Sequence, residues 1–348
     1  MAKMKAIFVY GPGDFRCEEA EIPDVTENDI LMKVTAAGVC AADRKVYQGA
    51  VPWPLKYPFI PGHELFGEIV EIGRGAEGKG LKLGDQITAE PILPCRQCPY
   101  CLSGWYHLCI NAKYFGFTQP GGFAQYMVLP AGSIIHKVPE SIGFLKGVFI
   151  EPLSCALYCI ERAEITFNDS VVLSGMGGIG LFMFQGLKMK KPRQIIVTEA
   201  NRASLSWAQR NGADLCLDAL DDRVEEKIKE ATDGLGASLF IEASGNPASL
   251  ALGLKALRKR GRMVVFGVYD QPASLNMTLV SDIKELTITG IHLSPRHFPA
   301  AIRFLEQDLI DVKPVLRKTF RLGEVAEAFQ YRFKDRPTGK IVFLPWED

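Results

Sequence analysis

The sequence predicts an α/β protein in two parts. One is a strand-rich domain built from residues 1–153 and 298–348. The other is a doubly wound parallel-sheet domain over residues 154–297. Three observations predict this. The chain has 348 residues, and at ~100–200 residues per domain that suggests two domains. Its texture changes near residue 154, from short strand-like runs broken by Gly/Pro turns to regular strand–helix alternation. Its 47% hydrophobic and 23% charged residues match ordinary globular composition rather than disorder.

In the first part, Lys5–Val9, Ile30–Ala36, Gly67–Ile72 and Phe123–Leu129 read as strands, and long amphipathic helices are scarce. The alternation then begins. Val171–Leu173, Gln194–Thr198, Leu215–Leu217 and Leu239–Glu242 are strands. They are followed in turn by helices over Ile179–Lys188, Arg202–Arg210, Val224–Ala231 and Ala248–Leu257. Arg262–Phe266 and Leu286–Gly290 are two further strands. Beyond residue 298, one helix (Ala300–Glu306) and a last strand (Lys340–Leu344) rejoin the first domain.

Charge and hydropathy narrow the function classes. Lys+Arg and Asp+Glu both number 40, so net charge is zero and the electrostatic case for a nucleic-acid or membrane partner is absent. Ser170–Leu187 carries no charge, but Gly175, Gly177, Gly178, Gly180 and Gly186 interrupt it, so it reads as a buried strand–turn–helix rather than a span. The apolar run Ala6–Tyr10 is too short for a secretory signal, and a cytoplasmic location is expected.

Gly175-Met-Gly177-Gly178-Ile179-Gly180 follows an apolar strand and opens a helix, the context in which this glycine spacing binds a dinucleotide. Gly175 permits the tight turn, Gly177 lets the backbone approach a pyrophosphate, and Gly180 allows close helix–strand packing. Glu199 ends the next strand, where an acidic side chain accepts the adenosine ribose hydroxyls and repels a 2′-phosphate, which favours NAD over NADP. Arg202, three residues on, is the feature that would suit NADP.

Nine cysteines without a signal peptide point to metal or redox chemistry rather than disulfides. Cys95, Cys98, Cys101 and Cys109 lie within fifteen residues, in a segment that Pro94, Pro99 and Gly104 make turn-rich. Four thiolates from one lobe suit a closed structural zinc site, with an Fe–S cluster as the rival. A second, open set is dispersed: Cys40, the pair His63-Glu64, and Glu151. One Cys, one His and a carboxylate can hold zinc and leave a position for water or substrate, but spacing alone does not join residues so far apart.

Gly38–Asp43, Pro61–Gly67, the four-cysteine lobe, Glu151-Pro-Leu-Ser154 and the glycine turn occur in the order found in the zinc-dependent medium-chain dehydrogenase/reductase family. Over essentially the whole chain the sequence resembles that family's polyol branch: sorbitol, threonine and especially erythritol/threitol dehydrogenases. The resemblance implies a GroES-like catalytic domain carrying an inserted Rossmann domain, with the active site in the cleft between them. It implies two zinc ions per chain, the catalytic one on Cys40, His63 and Glu64. Glu151 would be a further ligand or hold the zinc-bound water, and Asp43 would orient His63. Zinc would stabilise the substrate alkoxide, and hydride would pass to NAD, turning a secondary alcohol of a polyol into the ketose.

The chain departs from the family pattern at Ala42, where relatives carry a relay hydroxyl, and at Lys45, where some carry a relay histidine. Lys45 with Glu151 and water is the expected replacement. Tyr47, Gln48, Trp53, Tyr114, Phe117, Thr118 and His297 are candidate cleft-wall residues. The alternatives are an L-threonine 3-dehydrogenase, another secondary-alcohol dehydrogenase, or a silent binding protein on the same fold. Family resemblance also implies a homo-oligomer, dimer or tetramer, through an edge strand near Met277–Val280 or Thr287–Gly290.

Overall fold

The computed structural model describes residues 2–51, 54–76, 80–334 and 338–347. Packing divides the chain into one unit of Met1–Ser154 with Ser294–Asp348 and another of Cys155–Leu293.

The first unit opens with an antiparallel hairpin, β1 (Lys3–Gly11) and β2 (Asp14–Glu21). In β1 alternation sets the inward face: Met4 and Ala6 are buried, Lys3 and Lys5 exposed. Next come β3 (Ile30–Gly38), α1 (Ala41–Gln48), β4 (Glu64–Ile72), β5 (Gln86–Ala89) and β6 (Ile92–Leu93). The cysteine lobe holds α2 (Pro99–Leu102) and leads into β7 (Lys113–Tyr114), β8 (Tyr126–Leu129) and β9 (Ile135–Lys137). The strand expected over Phe123–Leu129 is shorter. Phe123 instead bridges two segments through its backbone, accepting from Ile7 N–H and donating to Pro61. Helices α3 (Phe144–Gly147) and α4 (Ile150–Arg162) follow.

The second unit contains β10 (Ser170–Ser174), α5 (Gly178–Lys190), β11 (Gln194–Glu199), α6 (Arg202–Arg210), β12 (Leu215–Asp218) and α7 (Val224–Glu230). It continues with β13 (Ala237–Glu242), α8 (Pro247–Ala256), β14 (Leu257–Val265) and β15 (Thr287–Gly290). Its six strands are all parallel, in the order β12-β11-β10-β13-β14-β15. The order reverses between β10 and β13, the switch point at which such sheets bind ligands. Val172, Ile196, Phe240 and Met263 centre its core. Of the two expected edge segments, Thr287–Gly290 is the edge strand β15. Met277–Val280 is no strand: Leu279–Ile283 winds a helical turn, and Leu279 and Val280 pack on the core.

The chain then returns to the first unit through α9 (Phe298–Glu306), β16 (Leu316–Phe320), α10 (Val325–Phe329) and β17 (Lys340–Phe343). These strands complete a sheet of order β16-β17-β3-β4-β5-β9, with β8 also paired to β3. Register matters here. Gly38 at the end of β3 lies opposite both Glu64 of β4 and Val342 of β17, so the sheet brings the two ends of the unit's sequence together. Among the described residues no helix is long and apolar enough to cross a membrane.

Candidate active site

Two donor clusters form in the first unit. In the lobe, the Sγ atoms of Cys95, Cys98, Cys101 and Cys109 all lie within 4.8 Å of one another. The turns that curl the chain are backbone-bonded: Leu102 N–H reaches Cys98 C=O at 3.0 Å and Gly104 N–H reaches Cys101 C=O at 3.0 Å. The N–H groups of Gln97 and Cys98 draw the Cys95 thiol down to about 6, while burial and neighbouring thiols push Cys101 up to about 12. Outside the lobe, Glu90 accepts from the Tyr106 hydroxyl at 2.9 Å and contacts His136 Nε2 at 3.1 Å, which fastens the lobe to β9.

The second cluster joins residues that spacing could not. Ligand atoms of Cys40, His63 and Glu64 lie within 4.8 Å of one another. Cys40 caps α1, and its N–H donates to Asp43 Oδ2 at 2.7 Å, a reciprocal arrangement that fixes both side chains. His63 is buried beside the Phe117 ring, centroids 5.3 Å apart. Glu64 is 1% exposed; its Oε1 accepts from Lys340 Nζ at 2.6 Å.

What remains is a set of open donors. Glu64 Oε2, His63 Nδ1 and Asp43 Oδ1 are buried without a hydrogen-bond partner among the described residues. Buried polar atoms are rarely left so. A cation satisfies Glu64 Oε2 directly, and a sulfur, nitrogen and oxygen set suits zinc. The electrostatics agree. Burial disfavours a charged His63 ring, yet Cys40, Asp43 and Glu151 more than reverse this and raise its pKa to about 10. Surroundings that draw a proton so strongly draw a metal cation too.

The other expected residues separate. Asp43 is fully buried, and burial raises its carboxyl to about 6 against the opposing pull of His63. It reaches His63 through charge, while its hydrogen bond goes to Cys40 rather than to the ring. Glu151 is buried and acts on His63 electrostatically, but it stands outside the tight trio. Lys45 is a buried helical residue, 5% exposed, not a solvated loop residue.

Several cleft-wall candidates have other duties. Tyr47 packs on Phe15 and Phe329. Thr118 Oγ1 accepts from Tyr114 N–H at 2.8 Å, and His297 Nδ1 pairs with Pro295 C=O at 2.7 Å. Gln48 is exposed, and Trp53 lies outside the described residues.

Sequence reasoning missed Lys340 and the role of Gly38. A Cβ at Gly38 would lie 2.3 Å from Glu64 Oε2, so only glycine leaves room for this carboxylate. The available signal for Lys340 was a lone charge opening an apolar strand.

In the second unit, Gly175 has φ +102°, and a Cβ there would lie 2.8 Å from Ser244 N. A Cβ on Gly180 would meet Gly175 O at 2.1 Å, whereas Gly177 has open space in front of it. Gly177 caps α5 with no side chain over the helix N–H groups, so with Gly178 and Ile179 it presents free donors to an anion. Glu199 ends β11, accepting from Met176 N–H at 2.5 Å and Asn201 N–H at 2.8 Å, which holds its carboxylate at the glycine turn. Arg202 is exposed at the start of α6.

Comparison with known proteins now adds to this geometry. Residues 26–140 match the alcohol dehydrogenase GroES-like domain, and residues 178–307 match the zinc-binding dehydrogenase family. An erythritol/L-threitol dehydrogenase of Mycolicibacterium smegmatis is 37% identical over 99% of this chain and 98% of its own length. An Escherichia coli CFT073 protein, described as a short-chain alcohol dehydrogenase and solved with NADH, superposes with a TM-score of 0.89. It is 28% identical, covering 99% of this chain and all of its own. A Sinorhizobium meliloti 1021 protein described as a zinc-binding dehydrogenase, bound to NADP, gives a TM-score of 0.90 at 25% identity, over 99% of this chain and 100% of its own. With a GroES-like unit, a Rossmann unit and these relatives along its whole length, the chain is a member of the zinc-dependent medium-chain dehydrogenase/reductase family and an oxidoreductase acting on alcohols.

Proposed function

We propose that this chain oxidises a secondary alcohol of a short polyol, such as erythritol, threitol or sorbitol, to the ketose, using NAD and two zinc ions per chain. The observation that carries the reading is the cluster of Cys40, His63 and Glu64 with its open donor atoms. The 37% identity to an erythritol/L-threitol dehydrogenase supports the substrate class. When bound, the open-site zinc supplies Lewis acidity at the alcohol oxygen, and NAD accepts the hydride from the adjacent carbon.

The chain's own residues do the rest. Cys40, His63 and Glu64 hold the metal, with Glu151 as fourth donor or water anchor, and the lobe thiols hold the structural ion. Lys340 fixes Glu64, and Asp43 fixes Cys40. Lys45, with Glu151 and water, stands in the proton path in place of the missing hydroxyl at Ala42. Gly177 and the α5 N-terminus take the pyrophosphate, and Glu199 takes the adenosine ribose and repels a 2′-phosphate. The enzyme works in the cytoplasm as a homo-oligomer, with β15 as the pairing edge.

The test is NADH or NADPH formation against erythritol, threitol, sorbitol and L-threonine, with and without a chelator. Chelator-sensitive NAD reduction by one polyol is expected, reduced at least ~10³-fold in His63→Ala. Silence from fully zinc-loaded protein overturns the polyol reading, and turnover confined to threonine replaces it. Lys45→Met with unchanged rate and pH profile removes Lys45 from the proton path.

A further inference from the structure

The two oxygens of the Glu64 carboxylate stand in different surroundings. Oε1 accepts from Lys340 Nζ at 2.6 Å, and both side chains are buried. Oε2 is buried and has no hydrogen-bond partner among the described residues. It passes over Gly38, where a Cβ would lie 2.3 Å away, so the carboxylate is confined on that side as well. Sheet register sets this arrangement: Lys340 opens β17, and Gly38 of β3 pairs with both Val342 of β17 and Glu64 of β4. Arg332 faces the same carboxylate through charge, but its buried Nε bonds to nothing among the described residues.

Donor counting gives this asymmetry a consequence. Zinc enclosed by four protein donors is structural, as the thiols of Cys95, Cys98, Cys101 and Cys109 provide in the lobe. A reactive zinc keeps three and leaves a position for water or substrate. Cys40, His63 and one oxygen of Glu64 make three. A carboxylate can hold a cation through both oxygens, and the second would make four. Lys340 withholds that second oxygen, because an ammonium fills its lone pair and repels a cation from its side of the carboxylate. Charge acts in the same direction. Thiolate and carboxylate together cancel the two charges of zinc, and the ammonium draws part of the carboxylate's charge away from the ion.

We propose that Lys340 is a positioning residue for the metal centre: by occupying Oε1 it limits Glu64 to a one-oxygen ligand through Oε2, and so keeps a coordination position open for the alcohol. The inference rests on the reading of Cys40, His63 and Glu64 as a zinc site.

Imidazole, a small ligand that enters an open coordination position, tests it on protein carrying cobalt in the open site and zinc in the lobe. Visible absorption reports both the cobalt geometry and imidazole binding. In Lys340→Met the freed oxygen is expected to close the position. Imidazole should then bind at least ~10-fold more weakly and the cobalt spectrum should change, while the ion stays bound. Gly38→Ala, the second variant, leaves Lys340 in place and crowds Oε2, and it should weaken cobalt binding at least ~10-fold. A Lys340→Met protein with the parent's spectrum and imidazole affinity, or one that loses its open-site ion, overturns the proposal. So does a Gly38→Ala protein that holds cobalt as tightly as the parent, since Oε2 is then not the ligand. A parent protein that takes up no ion beyond the lobe's overturns the metal reading and this inference with it.

Discussion

The two units differ in where buried metal-donor atoms gather. In the unit of Met1–Ser154 and Ser294–Asp348, donors stand open: four thiols converge in the lobe, and Glu64 Oε2 and His63 Nδ1 lack partners beside Cys40. Among its described residues the unit Cys155–Leu293 has no such convergence of His, Cys, Asp and Glu. Its two buried carboxylates, Asp169 and Glu242, are closed by hydrogen bonds. An open donor set depends on something added from outside, whereas a closed one holds the fold unaided. The first unit's stability should therefore follow metal, and the second unit's should follow pH.

The largest expected effect is that of chelation. Structural zinc contributes folding free energy outright in small lobes. Removing metal at neutral pH should accelerate amide exchange in the lobe around Cys95–Cys109 at least ~100-fold. The central strands β10 and β13 should keep their protection. Exchange followed by mass spectrometry on peptides from each unit reads both at once. Equal loss of protection in the two units would break the comparison.

The same contrast explains what was legible in the sequence. The lobe could be read directly because its four ligands fall within one short, turn-rich segment. The glycine turn was legible for the same reason: strand, turn and helix are contiguous, so Gly175, Gly177 and Gly180 carry their own context. Cys40, His63 and Glu64 are joined by sheet register, Gly38 opposite Glu64, and only family resemblance could supply that from sequence. The pairing of Lys340 could not be read because its partner is 276 residues away. Met277–Val280 looked like an edge strand because its apolar residues suit one. Tertiary packing of Leu279 and Val280 winds it into a helical turn instead.

That long-range ion pair gives the second prediction. Lys340 and Glu64 side chains are 4% and 1% exposed. Burial lowers the Lys340 pKa, but the charges of Glu64 and Cys40 more than offset this and hold it raised. Lys340→Met leaves Glu64 charged and unpaired inside the sheet, which should cost about 3–5 kcal/mol in the urea unfolding of the first unit. Adding Glu64→Gln removes the orphaned charge and should restore most of the loss, although it weakens the metal site. If Lys340→Met alone is nearly neutral once zinc is bound, the ion has taken over Lys340's role, and the open cluster is more self-sufficient than this geometry implies.

The smallest effect belongs to the closed unit. Asp169 stands just before β10, and its residue is 4% exposed. Burial alone would raise its pKa. The Ser238 hydroxyl at 2.6 Å, the Thr166 N–H at 2.8 Å and the Arg262 guanidinium at 2.8 Å outweigh burial, and the carboxyl is held below its ordinary range. The unfolded chain then binds a proton more readily than the folded one. Stability from Asp169 is fully present above the unfolded carboxyl pKa of ~3.9, and it is lost as pH falls through the lower folded value. In Asp169→Asn this acid dependence should shrink, and the second unit should lose about 2 kcal/mol at neutral pH, the worth of charge-assisted hydrogen bonds replaced by weaker ones. Because Asp169 touches no donor cluster, the variant's response to chelator should match the parent's. An Asp169→Asn protein whose second unit became chelator-sensitive would show that the two units share their stability, and the division between metal-held and bond-held charge would fail.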